Sequence, residues 1–128
     1  MVEARSMDIE TVLKPILTWF ARQGWEPIAF QREVWERYLA GESGLIQVPT
    51  GSGKTYAAVM GAIAEMLHTP TTGLQLLYLT PRRALSRDIE LSIRRPIAEM
   101  GWPLRAESRT GDTKSSQKSR QLKQMPAI

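Results

Sequence analysis

The stretch Leu45-Ile46-Gln47-Val48-Pro49-Thr50-Gly51-Ser52-Gly53-Lys54-Thr55 constrains this chain more than any other. A short apolar run, a glycine turn and a Lys-Thr pair lead into a helical pattern running from about Gly53 to His68. A turn of this kind exposes successive backbone N–H groups to a phosphate chain, and the following helix aims the positive end of its dipole at the same place. Pro49, Thr50, Gly51, Ser52 and Gly53 would form the cradle, Lys54 would reach the β and γ phosphates, and the Thr55 hydroxyl would ligate Mg²⁺. The strict pattern G-x-x-x-x-G-K-[ST] fails at its first position, where Val48 stands. A loop that merely turns the chain is the bland alternative.

Elements of alternating type surround this loop. Leu45 to Val48 and Leu74 to Thr80 read as buried parallel strands, short and apolar without alternation, and Leu104 to Arg109 is a third strand-like stretch. Between them lie the Ala- and Met-rich helix after the loop and a helix marked by Leu85, Ile89, Ile93 and Ile97, with Pro96 where it would bend. Strand, loop, helix in repetition predicts an α/β fold with a parallel sheet flanked by helices, whose ligands gather at the C-terminal ends of the strands. The loops at 49–55 and 80–83 would then open on one edge of the sheet.

Ahead of this part, Ile9, Val12, Leu13, Ile16, Leu17 and Phe20 recur at helical spacing, with Ser6 or Asp8 as the cap and Gly24 as the stop. Pro15 either kinks that helix or sits in the first turn of a shorter one. Trp25 to Gln31 follows, then a helical pattern from Arg32 to Ala40 that Gly41 ends. Three aromatic residues so close together make a core corner on packing grounds. Gln31 offers a second reading, because a carboxamide can pair its donor and acceptor with the N6 and N7 edge of adenine while Trp25 stacks on the base. The division expected is therefore 1–41, helices with the glutamine segment, and 42–128, the phosphate-loop part.

With 128 residues the chain has room for one domain at most. The net charge of +4 is unevenly spread: 6 basic and 8 acidic residues lie in 1–77, against 11 and 5 in 78–128. A polyanion would be met in the second half. The polar tail from Lys114 to Met125, with Lys114, Lys118, Arg120 and Lys123, suits a solvated helix face or phosphate contact equally. No cysteine is present, which removes disulfides and thiolate metal sites; no apolar run approaches bilayer length, and a reducing, cytoplasmic setting is expected. His68, the single histidine, falls at a helix end and is given no chemistry.

Pro-Thr-Gly-Ser-Gly-Lys-Thr is similar to the phosphate loop of superfamily 1 and 2 helicases. With Phe30-Gln31-Arg32-Glu33-Val34-Trp35, Leu79-Thr80-Pro81-Arg82-Arg83-Ala84-Leu85 and Arg109-Thr110-Gly111-Asp112-Thr113 in the same order and spacing, the whole chain resembles the start of a Lhr-type, ligase-associated DEXH-box DNA helicase. The resemblance implies an incomplete RecA-like domain preceded by a helical segment. It makes Gln31 the adenine reader, Lys54 the catalytic lysine of the loop and Thr55 the Mg²⁺ ligand. It places Thr80, Pro81, Arg82 and Arg83 on one motif touching the backbone of a single nucleic-acid strand, DNA before RNA, and Thr110 with Gly111 on another, contacts that are salt-sensitive and largely blind to sequence. ATP and Mg²⁺ are the implied cofactors, and DNA repair the setting. A helicase of this group continues into a fourth strand, an Asp-Glu-x-His box and a second RecA-like domain with an arginine finger, none of which is present here. The expected fragment binds ATP·Mg²⁺ without turning it over alone. Another P-loop enzyme such as a small kinase, or a partly folded truncated product, are the alternatives.

Overall fold

The computed structural model describes residues 8–49, 53–80, 83–109 and 114–128; of 83–85 it describes the backbone only. Five α-helices follow one another: α1 (Ile9–Arg22), α2 (Ala29–Leu39), α3 (Lys54–His68), α4 (Arg83–Met100) and α5 (Ser115–Lys123). The chain divides into two compact units, Met1–Pro70 and Thr71–Ile128.

In the first unit Asp8 caps α1, its carboxylate accepting the Glu10 N–H (3.1 Å) and the Thr11 hydroxyl (2.8 Å). Ser6 lies outside the described residues. The helix runs through Pro15, its seventh residue, so the shorter alternative is excluded. Gly24, at φ +76°, ends it by reversing the chain: the Gly24 N–H bonds to Ala21 O (3.0 Å) and the Trp25 N–H to Phe20 O (2.9 Å). Gly41 closes α2 in the same way, through Gly41 N–H to Tyr38 O and Glu42 N–H to Arg37 O. Helix α2 begins at Ala29, three residues before the pattern in the sequence indicated, because the Gln31 side chain accepts the Ile28 N–H and satisfies a donor at the helix start.

The three helices bury one another's apolar faces. Val12, Leu13, Ile16, Trp19 and Phe20 of α1, Trp35 of α2, and Ala57, Val59, Met60, Ile63 and Ala64 of α3 are all buried. Gly61 lets α2 and α3 approach: a Cβ there would stand 3.4 Å from the Trp35 Cα and 3.2 Å from the Tyr38 ring. Tyr38 donates its hydroxyl to Glu65 (2.7 Å), and burial followed by that bond pushes its pKa from 10.0 up to about 12.

The second unit holds α4 and α5. Ile89, Ile93 and Pro96 form the buried stripe of α4, and Pro96 stands inside the helix. The polar tail is α5, from which Gln121 turns inward and donates to Glu107 (3.0 Å) and to Ser108 O (3.2 Å).

The expected parallel sheet is corrected on one point: none of the three strand-like stretches forms a strand among the described residues. Leu45 is 86 % exposed, and Leu74, Leu77 and Leu79 are exposed as well. A strand exists only where a neighbour completes its ladder. Among the described residues of the second unit, the last two residues do so in part. Ala127 O accepts the N–H groups of Gln75 (2.9 Å) and Leu76 (3.0 Å), Ile128 N–H donates to Arg105 O (3.1 Å), and Glu107 N–H donates to Ile128 O (3.1 Å). The last two bonds, flanking Ala106, are those of one parallel bridge. The chain thus pairs 75–76 and 105–107 with 127–128 rather than burying either as a full strand.

Candidate nucleotide site

Gly53 is the N-cap of α3 and has left-handed backbone, φ +83° and ψ 27°. The conformation calls for glycine, and a Cβ at this position would lie 2.6 Å from Gln31 Nε2, so the carboxamide would have to shift. Lys54 begins the helix with its side chain in solvent, and Thr55 is half-buried beside it. The N–H groups of a first helical turn have no acceptor within the helix, which leaves a positive end where the lysine stands. Pro49 is exposed; Thr50, Gly51 and Ser52 lie outside the described residues.

Gln31 meets this turn directly. It is 4 % exposed, its carboxamide oxygen accepts the Ile28 N–H (2.9 Å), and its nitrogen donates to Gly53 O (3.2 Å). These two bonds use one N–H and one lone pair of the two that each end of a carboxamide has. The base-reading candidate and the phosphate-binding candidate, 22 residues apart in sequence, therefore share a hydrogen bond.

Trp25 sits in an aromatic cluster. Its ring meets Trp19 (5.5 Å, 88°) and Phe20 (5.8 Å, 83°) edge to face and Tyr56 at a tilt (6.3 Å, 41°). It is nevertheless 41 % exposed, so it serves as a core corner and still offers surface to solvent. Tyr56, in the first turn of α3, packs against Trp19 at 5.3 Å, tying that turn to α1.

Reasoning from sequence overlooked the second fastening of the same turn. The indole N–H of the buried Trp35 donates to Tyr56 O (2.9 Å). Gln31 and Trp35 stand four apart on α2, a spacing that puts them on one face of a helix, and that spacing was the available signal.

In the second unit Thr80 is half-buried, and its hydroxyl oxygen is buried with no hydrogen-bond partner among the described residues. It lines a cavity of about 310 Å³ together with Leu76, Ile89, Ile93, Ala106 and Gln121. Arg83 opens α4, its side chain outside what is described, while Pro81, Arg82, Thr110 and Gly111 lie wholly outside the described residues. Lys114 stands at the N-cap position of α5 with no capping bond from its side chain, and Lys114, Arg120 and Lys123 of the basic tail are exposed. Among the described residues no group of three or more His, Asp or Glu side chains gathers to hold a metal, and no helix is long and apolar enough to cross a membrane.

Residues 28–128 match the family model for DEAD/DEAH box helicase. The chain is 36 % identical, over 93 % of its length, to the ATP-dependent helicase Lhr-Core of Methanocaldococcus jannaschii, of which it covers 16 %. It is 32 % identical over 86 % of its length to the Lhr helicase/probable uracil glycosylase of Mycolicibacterium smegmatis, and 30 % identical over 86 % to the Lhr helicase/uracil glycosylase of Escherichia coli, covering 8 % of each. The chain thus spans a sixth or less of the curated relatives it matches. No solved structure matches it. The match across residues 28–128 and the likeness to these helicases show that the chain belongs to the DEAD/DEAH box helicase family, in its Lhr-type branch.

Proposed function

We propose that this chain is the nucleotide-binding beginning of an ATP-dependent DNA helicase, a RecA-like domain in part. The observation that carries the proposal is the first turn of α3: a left-handed Gly53 against the Gln31 carboxamide, followed by a solvent-exposed Lys54 and by Thr55. These residues fit a triphosphate with its metal. Lys54 would hold the β and γ phosphates, the Thr55 hydroxyl would take a place on Mg²⁺, and the helix end would supply N–H donors, with Pro49, Thr50, Gly51 and Ser52 completing the cradle. The metal would neutralise charge on the phosphate oxygens. Gln31 would read the adenine edge with its remaining N–H and lone pair, and the open part of Trp25 would stack on the base.

Single-stranded DNA would be held by Thr80, Pro81, Arg82, Arg83, Thr110 and Gly111. The excess of basic residues in 78–128 supports this assignment, as does the Thr80 hydroxyl, which has no partner among the described residues. These 128 residues contain no Asp-Glu-x-His string, and alone they would bind nucleotide without hydrolysing it. The remainder of a helicase would supply the acidic pair and arginine finger. The cysteine-free sequence suits a cytoplasmic protein, and DNA repair is the setting the helicase reading implies.

Titration calorimetry with ATP·Mg²⁺ and GTP·Mg²⁺ tests the reading. ATP binds and GTP does not, Lys54→Ala abolishes ATP binding, and Gln31→Ala narrows the difference between the two nucleotides. Equal affinity for both in the unaltered chain would favour a different P-loop enzyme.

A further inference from the structure

We infer that Trp35 is a positioning residue for the phosphate turn, acting through a two-point grip that α2 exerts on the start of α3. The inference rests on the nucleotide-binding role proposed above. Gln31 and Trp35, at i and i+4 on α2, direct side-chain N–H groups to two backbone carbonyls of the other segment, Gly53 O (3.2 Å) and Tyr56 O (2.9 Å). Those carbonyls bracket Lys54 and Thr55, the two residues whose side chains would touch the triphosphate and its metal.

Two points fix more than one. A single hydrogen bond at Gly53 would leave the first turn free to pivot about it. A second bond three residues on, one helical turn away, fixes the direction in which the first-turn N–H groups point. Both carbonyls lie within the helical repeat as well: Gly53 O accepts the Ala57 N–H at 3.1 Å, and the repeat pairs Tyr56 O with the N–H of Met60. The α2 donors therefore add to the helix hydrogen bonds without replacing them, so the grip is not needed to form α3. Its consequence is orientation.

The position of Trp35 is over-determined by its surroundings. The indole is buried, and its ring meets Phe20 edge to face at 5.5 Å and 90°. A buried indole N–H needs an acceptor, and a packed ring cannot turn to find another. Phe20 in turn contacts Tyr56 at 6.2 Å, so the side chain of Tyr56 and its carbonyl are both held by residues of α1 and α2. A phosphate chain presented to this turn meets donors whose directions are already set, and the ordering cost of binding is correspondingly lower.

The test replaces Trp35 in the full chain with benzothienylalanine, which keeps the bicyclic shape and exchanges the N–H for sulfur. ATP·Mg²⁺ affinity is measured by calorimetry beside the unaltered chain, and first-turn amide exchange is followed by mass spectrometry. Asp8→Ala, which weakens α1 away from the turn, is the control for lost stability. The expected result is a loss of about three- to tenfold in ATP·Mg²⁺ affinity, the fold-change of one net hydrogen bond. Faster amide exchange is expected at 54–57, and Asp8→Ala should bind as the unaltered chain does. Unchanged affinity in the isostere overturns the inference and leaves the nucleotide site standing. An equal loss in Asp8→Ala overturns it too, since stability alone would then explain the effect. If the unaltered chain binds no ATP·Mg²⁺, the nucleotide reading fails and the inference falls with it.

Discussion

Residues 1–70 and 71–128 are of similar size, yet they use their apolar residues in opposite ways. In the first unit α1, α2 and α3 bury Leu13, Ile16, Trp19, Trp35, Met60 and Ile63 almost completely. In the second, Leu77 and Leu79 lie 66 % and 81 % exposed although they belong to the most apolar run in that part of the sequence. The cause lies in where each kind of element finds its backbone partners. A helix closes its hydrogen bonds within itself, so it needs only another apolar face to pack against. An extended segment takes its bonds from neighbours, and among the described residues 75–76 and 105–107 find backbone partners in the last two residues of the chain. The turn proposed to bind nucleotide belongs to the self-sufficient unit. It can be held rigidly because its supports are helices.

Substitutions can break this contrast, and the largest effect is expected where burial is deepest. Trp19→Ala removes a fully buried ring that touches Phe20, Trp25 and Tyr56, and should lower the stability of the first unit by about 3–5 kcal/mol in urea unfolding. A loss below ~1 kcal/mol would mean that the cluster is loosely packed. Gly53→Ala comes next: left-handed backbone and the approach of Gln31 together should cost about 1–3 kcal/mol and displace the carboxamide from Gly53 O, with ATP·Mg²⁺ binding lost alongside. Normal binding by this variant would show that the grip on the turn is dispensable.

Smaller effects sharpen the comparison. Asp8→Ala removes the cap of α1 and should cost about 1 kcal/mol. The phenol of Tyr38 is harder to ionise in the folded chain, pushed from 10.0 to about 12, so the native state keeps a proton that the unfolded state gives up. The stability this contributes is fully present below pH 10 and is lost as pH rises through 12. Tyr38→Phe should remove that part of the alkaline decline, and an identical decline in both chains would count against the raised pKa that burial and the Glu65 bond give Tyr38. The smallest effect belongs to the second unit. Leu79→Ser, at an exposed position, should change stability by no more than about 0.5 kcal/mol. A larger loss would show Leu79 to be covered in solution.

Much of the first unit could be read in the residues alone. The apolar repeat from Ile9 to Phe20, the cap at Asp8, and the stops at Gly24 and Gly41 are local features, and local interactions decide them. The Lys54–Thr55 pair at a helix start was legible for the same reason. The strand-like stretches at 45–48, 74–80 and 104–109 misled because composition over a few residues reports hydrophobicity and not the presence of a pairing partner. Trp35 was legible only as an apolar residue. Its indole N–H acquires a role from a carbonyl 21 residues away.

The residue order by itself determined the helices, their ends, the glycine turn with its lysine and threonine, and the family to which these motifs belong, because each depends on spacing over a few residues. Tertiary structure alone decided that Gln31 and Trp35 seize the carbonyls on either side of Lys54 and Thr55, and that the apolar runs of the second unit stay open. Both depend on what lies across space, and side-chain donors and ladder partners find each other only once the chain has packed.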